Sequence, residues 1–322
     1  MTVRLVIDSD TASDDCFALL VGLLDPEASL EAVTIVAGNV DFDQQVRNAL
    51  TTIEQAGRGG EVPVFPGCRR PLVRQREGSE YVHGNGMGGQ DLGLPRHGPE
   101  REHAVDALLR LADAHPGDLT VACIGPLTNI AVAVAKDPAF PRKLRSLWVM
   151  GGTNNGRGNM IPAAEFNFYV DPEAARAVFR AGFDIHVVTW NLTVGQARFS
   201  RDMLQRIDAL GTPLSRFFGA VNRTSLEYNE RAGIAGSTHP DSLTATLLLH
   251  PELIRRSAPY HVDIETQGEL TRGYSVFDWG LPDPWGGPPK RPNATVVEEI
   301  DAGGFYEAMV RLLGTATPGG AR

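Results

Sequence analysis

Residues 3–20 read VRLVIDSDTASDDCFALL. An apolar run over residues 3–7 leads into a loop with four carboxylates, and an apolar run of helical period begins at Asp14. This order of strand, loop and helix is typical of a βα unit in a parallel sheet. The acidic loop therefore follows the carboxyl end of a strand, where ligands bind in open α/β sheets.

The same alternation of strands and helices continues along the chain. Strands are predicted at residues 3–7, 32–36, 119–124, 147–150, 185–189 and 260–264, and helices at residues 14–24, 42–55, 105–114, 127–135 and 172–181. Strands that are apolar on both faces and separated by helices predict a doubly wound α/β fold, with a mainly parallel sheet and helices on both faces. No linker of biased composition divides the chain. We therefore expect a single domain over residues 1–313 and a disordered tail over residues 314–322.

Composition limits the classes of partner. The 322 residues include 30 Lys and Arg against 39 Asp and Glu, a formal net charge of −9. An acidic surface disfavours nucleic acid and anionic membranes as partners.

The three cysteines are widely separated, which is typical of free thiols in a reducing compartment. The chain shows neither a signal peptide nor a membrane-spanning run, so we expect a cytoplasmic protein.

The acidic loop is the strongest local signal of function. Asp8, Asp10, Asp14 and Asp15 lie within eight residues, and their mutual repulsion is tolerable if a hard cation shares their oxygens or some take up protons. Capping of the following helix would explain Asp14 and Asp15 but not the other two. A phosphohydrolase nucleophile of the form Asp-x-Asp-x-Thr is a rival interpretation, although Ala12 stands where that pattern requires Thr.

Three further clusters carry polar groups, and two of them follow predicted strands. Asn39 follows the second strand, and Asn159, Glu165 and Asn167 lie in a loop whose amide and carboxylate groups match sugar hydroxyls. Asp241 precedes an apolar helical run and could simply cap it.

Residues 84–89 have the spacing G-x-G-x-x-G but open no helix, so a dinucleotide site is rejected. Residues 74–98 show no period and are predicted to form a mobile loop over the site.

These clusters together resemble the inosine-uridine type nucleoside hydrolases over nearly the whole chain. The resemblance implies a doubly wound α/β fold, a calcium ion, a homodimer or homotetramer, and hydrolysis of a ribonucleoside to free base and ribose. The motifs that carry it are Asp8-Ser9-Asp10 with Asp14-Asp15, Ala37-Gly38-Asn39-Val40, His83-Gly84, Gly125-Pro126-Leu127-Thr128-Asn129, Met150-Gly151-Gly152, Gly158-Asn159, Ala164-Glu165-Phe166-Asn167, Asp171-Pro172 and Asp241.

The resemblance also implies roles for individual residues. Calcium would be bound by Asp10, Asp15, Asp241 and the main-chain carbonyl of Ile124, all through oxygen. Asp10 would also take a proton from the attacking water. The candidate catalytic residues are Asp10, Asn167 and His239. The residues that would hold the ribose hydroxyls are Asp14, Asn39, Asn159, Glu165, Asn167 and Asp241.

The sequence departs from the family where the leaving base would be protonated. Many members carry His directly before the residue that matches Asp241; here Pro240 takes that place and His239 stands one residue earlier. Proline restricts His239 toward an extended backbone, which favours a different proton donor. Tyr228, His83 and Trp190 are candidates for contact with the base, with packing or surface roles as the alternative.

Two other classes of function remain open from the sequence. A metal-dependent phosphohydrolase would use the same acidic loop on phosphate esters. A non-catalytic nucleoside or sugar-binding protein would keep the pocket without turnover.

Overall fold

A computed structural model describes residues 2–280, 282, 287–288 and 290–315 of the chain. Its strands are β1 Val3–Ser9, β2 Ala28–Ile35, β3 Val64–Pro66, β4 Leu119–Cys123, β5 Leu144–Met150, β6 Ile185–Val188, β7 Arg198–Phe199, β8 Ser237–Thr238, β9 Ile254–Ile264, β10 Ser275–Asp278 and β11 Ala294–Ile300. Its helices are α1 Asp14–Leu24, α2 Phe42–Gln55, α3 Glu80–His83, α4 Ala104–Ala114, α5 Thr128–Lys136, α6 Phe140–Lys143, α7 Phe166–Val170, α8 Pro172–Phe179, α9 Trp190–Gln196, α10 Arg201–Asp208, α11 Pro213–Arg231, α12 Pro240–Leu249 and α13 Ala302–Leu313.

One nine-stranded sheet organises the molecule, in the order β10-β9-β11-β6-β5-β4-β1-β2-β3. The seven strands from β11 to β3 run parallel, and β9 and β10 add an antiparallel edge. From β1 the chain winds outward through β2 and β3, then returns to β4 on the other side of β1. The carboxyl ends of β1 and β4 therefore enclose a topological switch point, where such sheets bind ligands.

Alternate residues of β1 pack against different layers. Leu5 and Ile7 join a core with α1, α2, α11, α12 and α13, whereas Val6 joins a second core with α4, α5 and α8. This alternation follows from the twofold period of a strand. Each face of the sheet is thus covered by helices, and the prediction of a doubly wound α/β fold is confirmed.

All six predicted strands and all five predicted helices are present with modest changes at their ends. The largest change is in β9, which begins at Ile254 rather than at residue 260. The predicted tail starts with two ordered residues, because Gly314 and Thr315 donate backbone hydrogen bonds into the last turn of α13. Residues 316–322 lie outside the described residues. No helix in the described part of the chain has both the length and the apolar character to cross a membrane.

Candidate active site

A cavity of about 430 Å³ opens at the carboxyl edge of the sheet, beside the switch point between β1 and β4. It brings together residues that are far apart in the sequence, from the loops after β1, β2, β4 and β5 and from α11 and α12. The predicted site residues that line it are Asp14, Asn39, His83, Ile124, Asn159, Glu165, Asn167, Trp190, Tyr228 and Asp241. The predicted metal ligands Asp10 and Asp15 do not line it.

Four carboxylates converge at the floor of this cavity, of which those of Asp14 and Asp241 line it. Asp14, Asp15 and Asp241 each offer a carboxylate oxygen, and the three oxygens lie within 4.8 Å of one another. The backbone N–H of Asp241 donates to Asp14 Oδ2 at 3.0 Å, which ties α12 to the start of α1. Asn39 connects Asp10 to the group, because its N–H donates to Asp10 Oδ2 at 2.9 Å and its amide donates to Asp15 Oδ2 at 3.3 Å.

Burial and mutual repulsion make full ionisation of this cluster unfavourable. Burial, followed by the charge of Asp15, raises the pKa of Asp14 to about 7 and the pKa of Asp10 well above its usual value. Burial raises the pKa of Asp15 to about 6, and burial with the charge of Asp14 raises that of Asp241 strongly. A bound divalent cation would reverse these shifts, since it favours the charged carboxylates.

Asp10 is fixed in place and keeps one oxygen without a partner. Its Oδ1 is buried and accepts no hydrogen bond within the described residues. A Cβ atom at Gly38 would lie 2.0 Å from Asp10 Oδ2, and one at Gly125 would lie 2.6 Å from Oδ1, so these two glycines leave room for the carboxylate. An unpartnered buried carboxylate oxygen among oxygen donors matches the chemistry of a hard cation site.

Asp8 supports the floor from below rather than lining the cavity. Its Oδ1 accepts hydrogen bonds from Thr34 Oγ1 at 2.6 Å and from Asn129 Nδ2 at 2.8 Å. Asn129 also accepts a hydrogen bond from the backbone of Cys68 and donates to the carbonyl of Ile35. The Gly125–Asn129 motif therefore joins the ends of neighbouring strands and holds the acidic loop in position.

The wall after β5 presents amide and carboxylate groups in fixed orientations. Glu165 caps α7, accepting hydrogen bonds from the backbone of Asn167 at 2.9 Å and of Gly152 at 3.0 Å, and burial raises its pKa to about 7. The amide of Asn167 donates to the carbonyl of Ile124 at 3.1 Å. This contact links the polar wall directly to the carbonyl that follows β4.

A profile of the inosine-uridine preferring nucleoside hydrolase family matches residues 5–307. The chain belongs to this family. It is 34% identical to the pyrimidine-specific ribonucleoside hydrolase RihA of Citrobacter koseri, over 97% of this chain and 98% of that protein. The predicted membership in this family, and with it the predicted class of enzyme, a ribonucleoside hydrolase, is confirmed.

Solved structures agree with this assignment. A plant nucleoside hydrolase superposes with a TM-score of 0.89 at 29% identity, covering 98% of this chain and all of that one. A purine-preferring ribonucleoside hydrolase from Gardnerella vaginalis gives a TM-score of 0.88 at 27% identity, covering 97% of this chain and 98% of that one.

The loop over residues 74–98 of this nucleoside hydrolase contributes His83 to the cavity. His83 Nδ1 lies 2.8 Å from Ser13 Oγ, and Thr224 Oγ1 of α11 donates to the His83 carbonyl at 3.1 Å. Ser13 has φ 45°, a left-handed conformation that is uncommon outside glycine. Burial lowers the pKa of His83 to about 4, so this ring is neutral at pH 7.

His239 of the nucleoside hydrolase does not line the cavity. It is fully buried, with its ring centroid 4.7 Å from that of Phe199, 5.2 Å from Phe218 and 5.6 Å from Phe17. Neither ring nitrogen has a hydrogen-bond partner among the described residues, and burial lowers the pKa to about 3. The structure therefore separates His239 from the other candidate catalytic residues.

The structure adds cavity residues that the sequence did not single out. Ser79 donates to Asn39 Oδ1 at 2.7 Å and so orients the amide that bridges the acidic cluster. Asn222 of α11 and Arg198 of β7 also line the cavity. A signal for α11 was present, since Thr212 followed by Pro213 and Ser215 is a strong helix start. No comparable signal marks the two-residue strand β7.

Proposed function

We propose that this chain hydrolyses the N-glycosidic bond of ribonucleosides with calcium bound by Asp10, Asp15, Asp241 and the carbonyl of Ile124. The observation that carries the proposal is the unpartnered, buried Asp10 Oδ1 within a cluster of converging carboxylates on the cavity floor. When bound, calcium supplies Lewis-acid activation of the attacking water. Family membership supports the reaction class, and the oxygen-only donor set supports calcium over zinc.

The residues of the chain would transfer the proton, stabilise the developing charge and bind the ribose. Asp10 takes the proton of the attacking water at Oδ1, the oxygen that the fold leaves without a partner. As the C1′–N bond breaks, positive charge develops on the ribose ring, and nearby carboxylates stabilise it. The groups proposed to hold the ribose hydroxyls are Asp14, Asn39, Asn159, Glu165, Asn167 and Asp241.

The direct test is a panel of purine and pyrimidine ribonucleosides assayed for free base and reducing sugar, alongside phosphate esters. Both kinds of base belong in the panel, since RihA of Citrobacter koseri is pyrimidine-specific and the Gardnerella vaginalis enzyme is purine-preferring. Release of equal amounts of base and ribose supports the proposal. Turnover of phosphate esters alone would indicate a phosphohydrolase, and binding without release would indicate a sensor. The homodimer or homotetramer and the cytoplasmic location remain predictions.

Replacing Asn167 by Ala should lower kcat/KM by roughly 10- to 100-fold with every ribonucleoside, because the sugar is their common part and a hydrogen bond to it is lost. The measurement compares uridine, cytidine, inosine and adenosine. Asn191→Ala is the matched control, since Asn191 is exposed outside the cavity. A loss confined to one base would contradict the assignment of Asn167 to ribose.

Replacing His239 by Phe should change kcat/KM by no more than about threefold, because His239 lies among phenylalanine rings and not in the cavity. The folded-state pKa of about 3 lies below the unfolded value of 6.5, so the wild type loses stability as pH falls below 6.5. The variant avoids this loss and should gain about 2 kcal/mol relative to the wild type between pH 7 and pH 5. Thermal unfolding at both pH values measures the gain. A large loss of kcat/KM for uridine in His239→Phe, with kcat/KM for p-nitrophenyl riboside unchanged, would instead show that His239 is the general acid that protonates the leaving base.

A further inference from the structure

A second cavity of about 640 Å³ adjoins the proposed active site. Arg198, Asn222 and Ile234 line both cavities and form the wall between them. None of the four clustered carboxylates lines the second cavity. This shared wall therefore lies on a side of the active site that the acidic floor does not form.

Arg198 is the only Arg or Lys that lines the active-site cavity, within the part of the chain that the structure describes. Its Nε is buried and has no hydrogen-bond partner there, and its guanidinium forms no ion pair with a described residue. Arg198 is half-buried, and its Nε is a buried donor that has lost hydration without gaining a hydrogen bond in return. This donor is therefore available to a ligand in the cavity.

The backbone of Arg198 is fixed relative to the acidic floor. Arg198 pairs with Thr238 across the small sheet of β7 and β8, and Thr238 also lines the active-site cavity. Two residues further on, Pro240 begins α12, whose first turn carries Asp241. The backbone position of Arg198 is thereby tied to that of Asp241, a proposed metal ligand.

Asn222, the other polar residue of the shared wall, and Asn229 of the active-site cavity already have partners. Asn222 and Ser237 are hydrogen bonded to each other at 3.1 Å, and the amide of Asn229 donates to the carbonyl of Gly236 at 3.0 Å. Arg198 is therefore the side chain of the wall whose donors are still available. The groups proposed to hold the sugar lie on the acidic floor, in the loop after β2 and on the polar wall after β5, which leaves the shared wall for the base.

We propose that Arg198 donates hydrogen bonds to the nucleobase and stabilises the negative charge that the base acquires as it leaves. This inference rests on the proposed ribonucleoside hydrolase function. When the C1′–N bond breaks, its electron pair goes to the base, and in uracil and hypoxanthine it spreads onto ring nitrogens and a carbonyl oxygen. The planar guanidinium can meet two such acceptors at once.

The role of Arg198 is electrostatic and does not involve proton transfer. A guanidinium stays protonated at any pH the enzyme meets, so it pairs with the departing anion without giving up a proton. The water oxygen bonds to C1′, Asp10 takes one proton from that water, and the base anion takes its proton from solvent after it leaves. Base departure assisted in this way needs no histidine next to Asp241.

The test compares Arg198→Ala and Arg198→Gln with the parent enzyme on uridine, inosine and p-nitrophenyl riboside. We expect kcat/KM for the two nucleosides to fall about 100-fold, as on removal of one donor to a developing anion. p-Nitrophenolate is a stable leaving group, so its release should change by less than about threefold. Millimolar guanidinium chloride should restore nucleoside hydrolysis to Arg198→Ala. Arg201→Gln is the matched control, because Arg201 is exposed and lines the second cavity but not the active-site cavity.

Equal losses on all three substrates, without rescue by guanidinium, would show a structural role and overturn the inference. Unchanged nucleoside hydrolysis in both variants would also overturn it, because Arg198 would then not contact the base. If the parent enzyme releases p-nitrophenolate but no base, the inference fails while glycosidic cleavage stands. If the parent releases neither product, the proposed function itself has failed.

Discussion

Replacing Asp10 by Asn should lower kcat for every ribonucleoside by roughly 10⁴-fold, the largest effect expected from any single substitution. The change keeps the size of the side chain between Gly38 and Gly125, yet it removes a carboxylate that we propose as both metal ligand and base. Steady-state release of uracil from uridine and of hypoxanthine from inosine measures the loss.

Asp43→Asn serves as the control for Asp10→Asn. Asp43 is an exposed carboxylate near the start of α2 that pairs with Arg69 at 2.7 Å, so its replacement should leave kcat within about twofold. Calorimetric binding of calcium should weaken in Asp10→Asn and not in the control. Activity of Asp10→Asn within tenfold of the parent would show that Asp10 is neither ligand nor base.

Removing the 2′-hydroxyl of the substrate should lower kcat/KM by roughly 10³- to 10⁵-fold, because polar groups built to bind that hydroxyl would be left buried without partners. We propose Glu165 and Asn167 as two of these groups, since hydrogen bonds with the backbone of Asn167, of Gly152 and of Ile124 orient them. Uridine against 2′-deoxyuridine and inosine against 2′-deoxyinosine are the informative pairs.

The glycosidic bond of a 2′-deoxynucleoside is chemically the weaker one, so its slow enzymatic cleavage would report on the site and not on the bond. The matched comparison is 5′-deoxyuridine, which keeps the 2′- and 3′-hydroxyls. Cleavage of 2′-deoxyuridine within tenfold of uridine would contradict the proposed role of the polar wall in holding ribose.

The acidic floor could be predicted from the sequence because topology alone places it. Residues 3–20 show a strand, a turn and a helix, and the carboxyl end of a parallel strand faces the ligand side of the sheet. The structure puts Asp14 and Asp15 beside Asp241, although more than 220 residues separate them, since both loops end at the same edge.

The shared wall of Arg198, Asn222 and Ile234 could not be predicted in the same way. β7 and β8 have two residues each, too few to show a period, and they fix Arg198 by pairing across the chain. The second half of α11 carries polar residues such as Asn222 and Tyr228 toward the cavity, which interrupts the apolar stripe that marks a helix.

The sequence also could not predict the direction in which the His239 side chain points. Spacing from Asp241 places it within one turn of the site, but its backbone, with φ −134° and ψ 66°, lies outside the helix that begins at Pro240. Phe17, Phe199 and Phe218 then surround its ring on the core side. Such a choice between core and cavity is made by packing, not by local sequence.

Calcium-dependent hydrolysis of ribonucleosides is tested most directly by measuring release of free base and ribose from uridine and inosine by one enzyme sample in three states: as purified, after chelation and dialysis, and after calcium is restored. We predict equimolar base and ribose in the first state, loss of at least about 99% of turnover in the second, and recovery in the third. Full hydrolysis by the chelated enzyme, or no base release in any state, would contradict it.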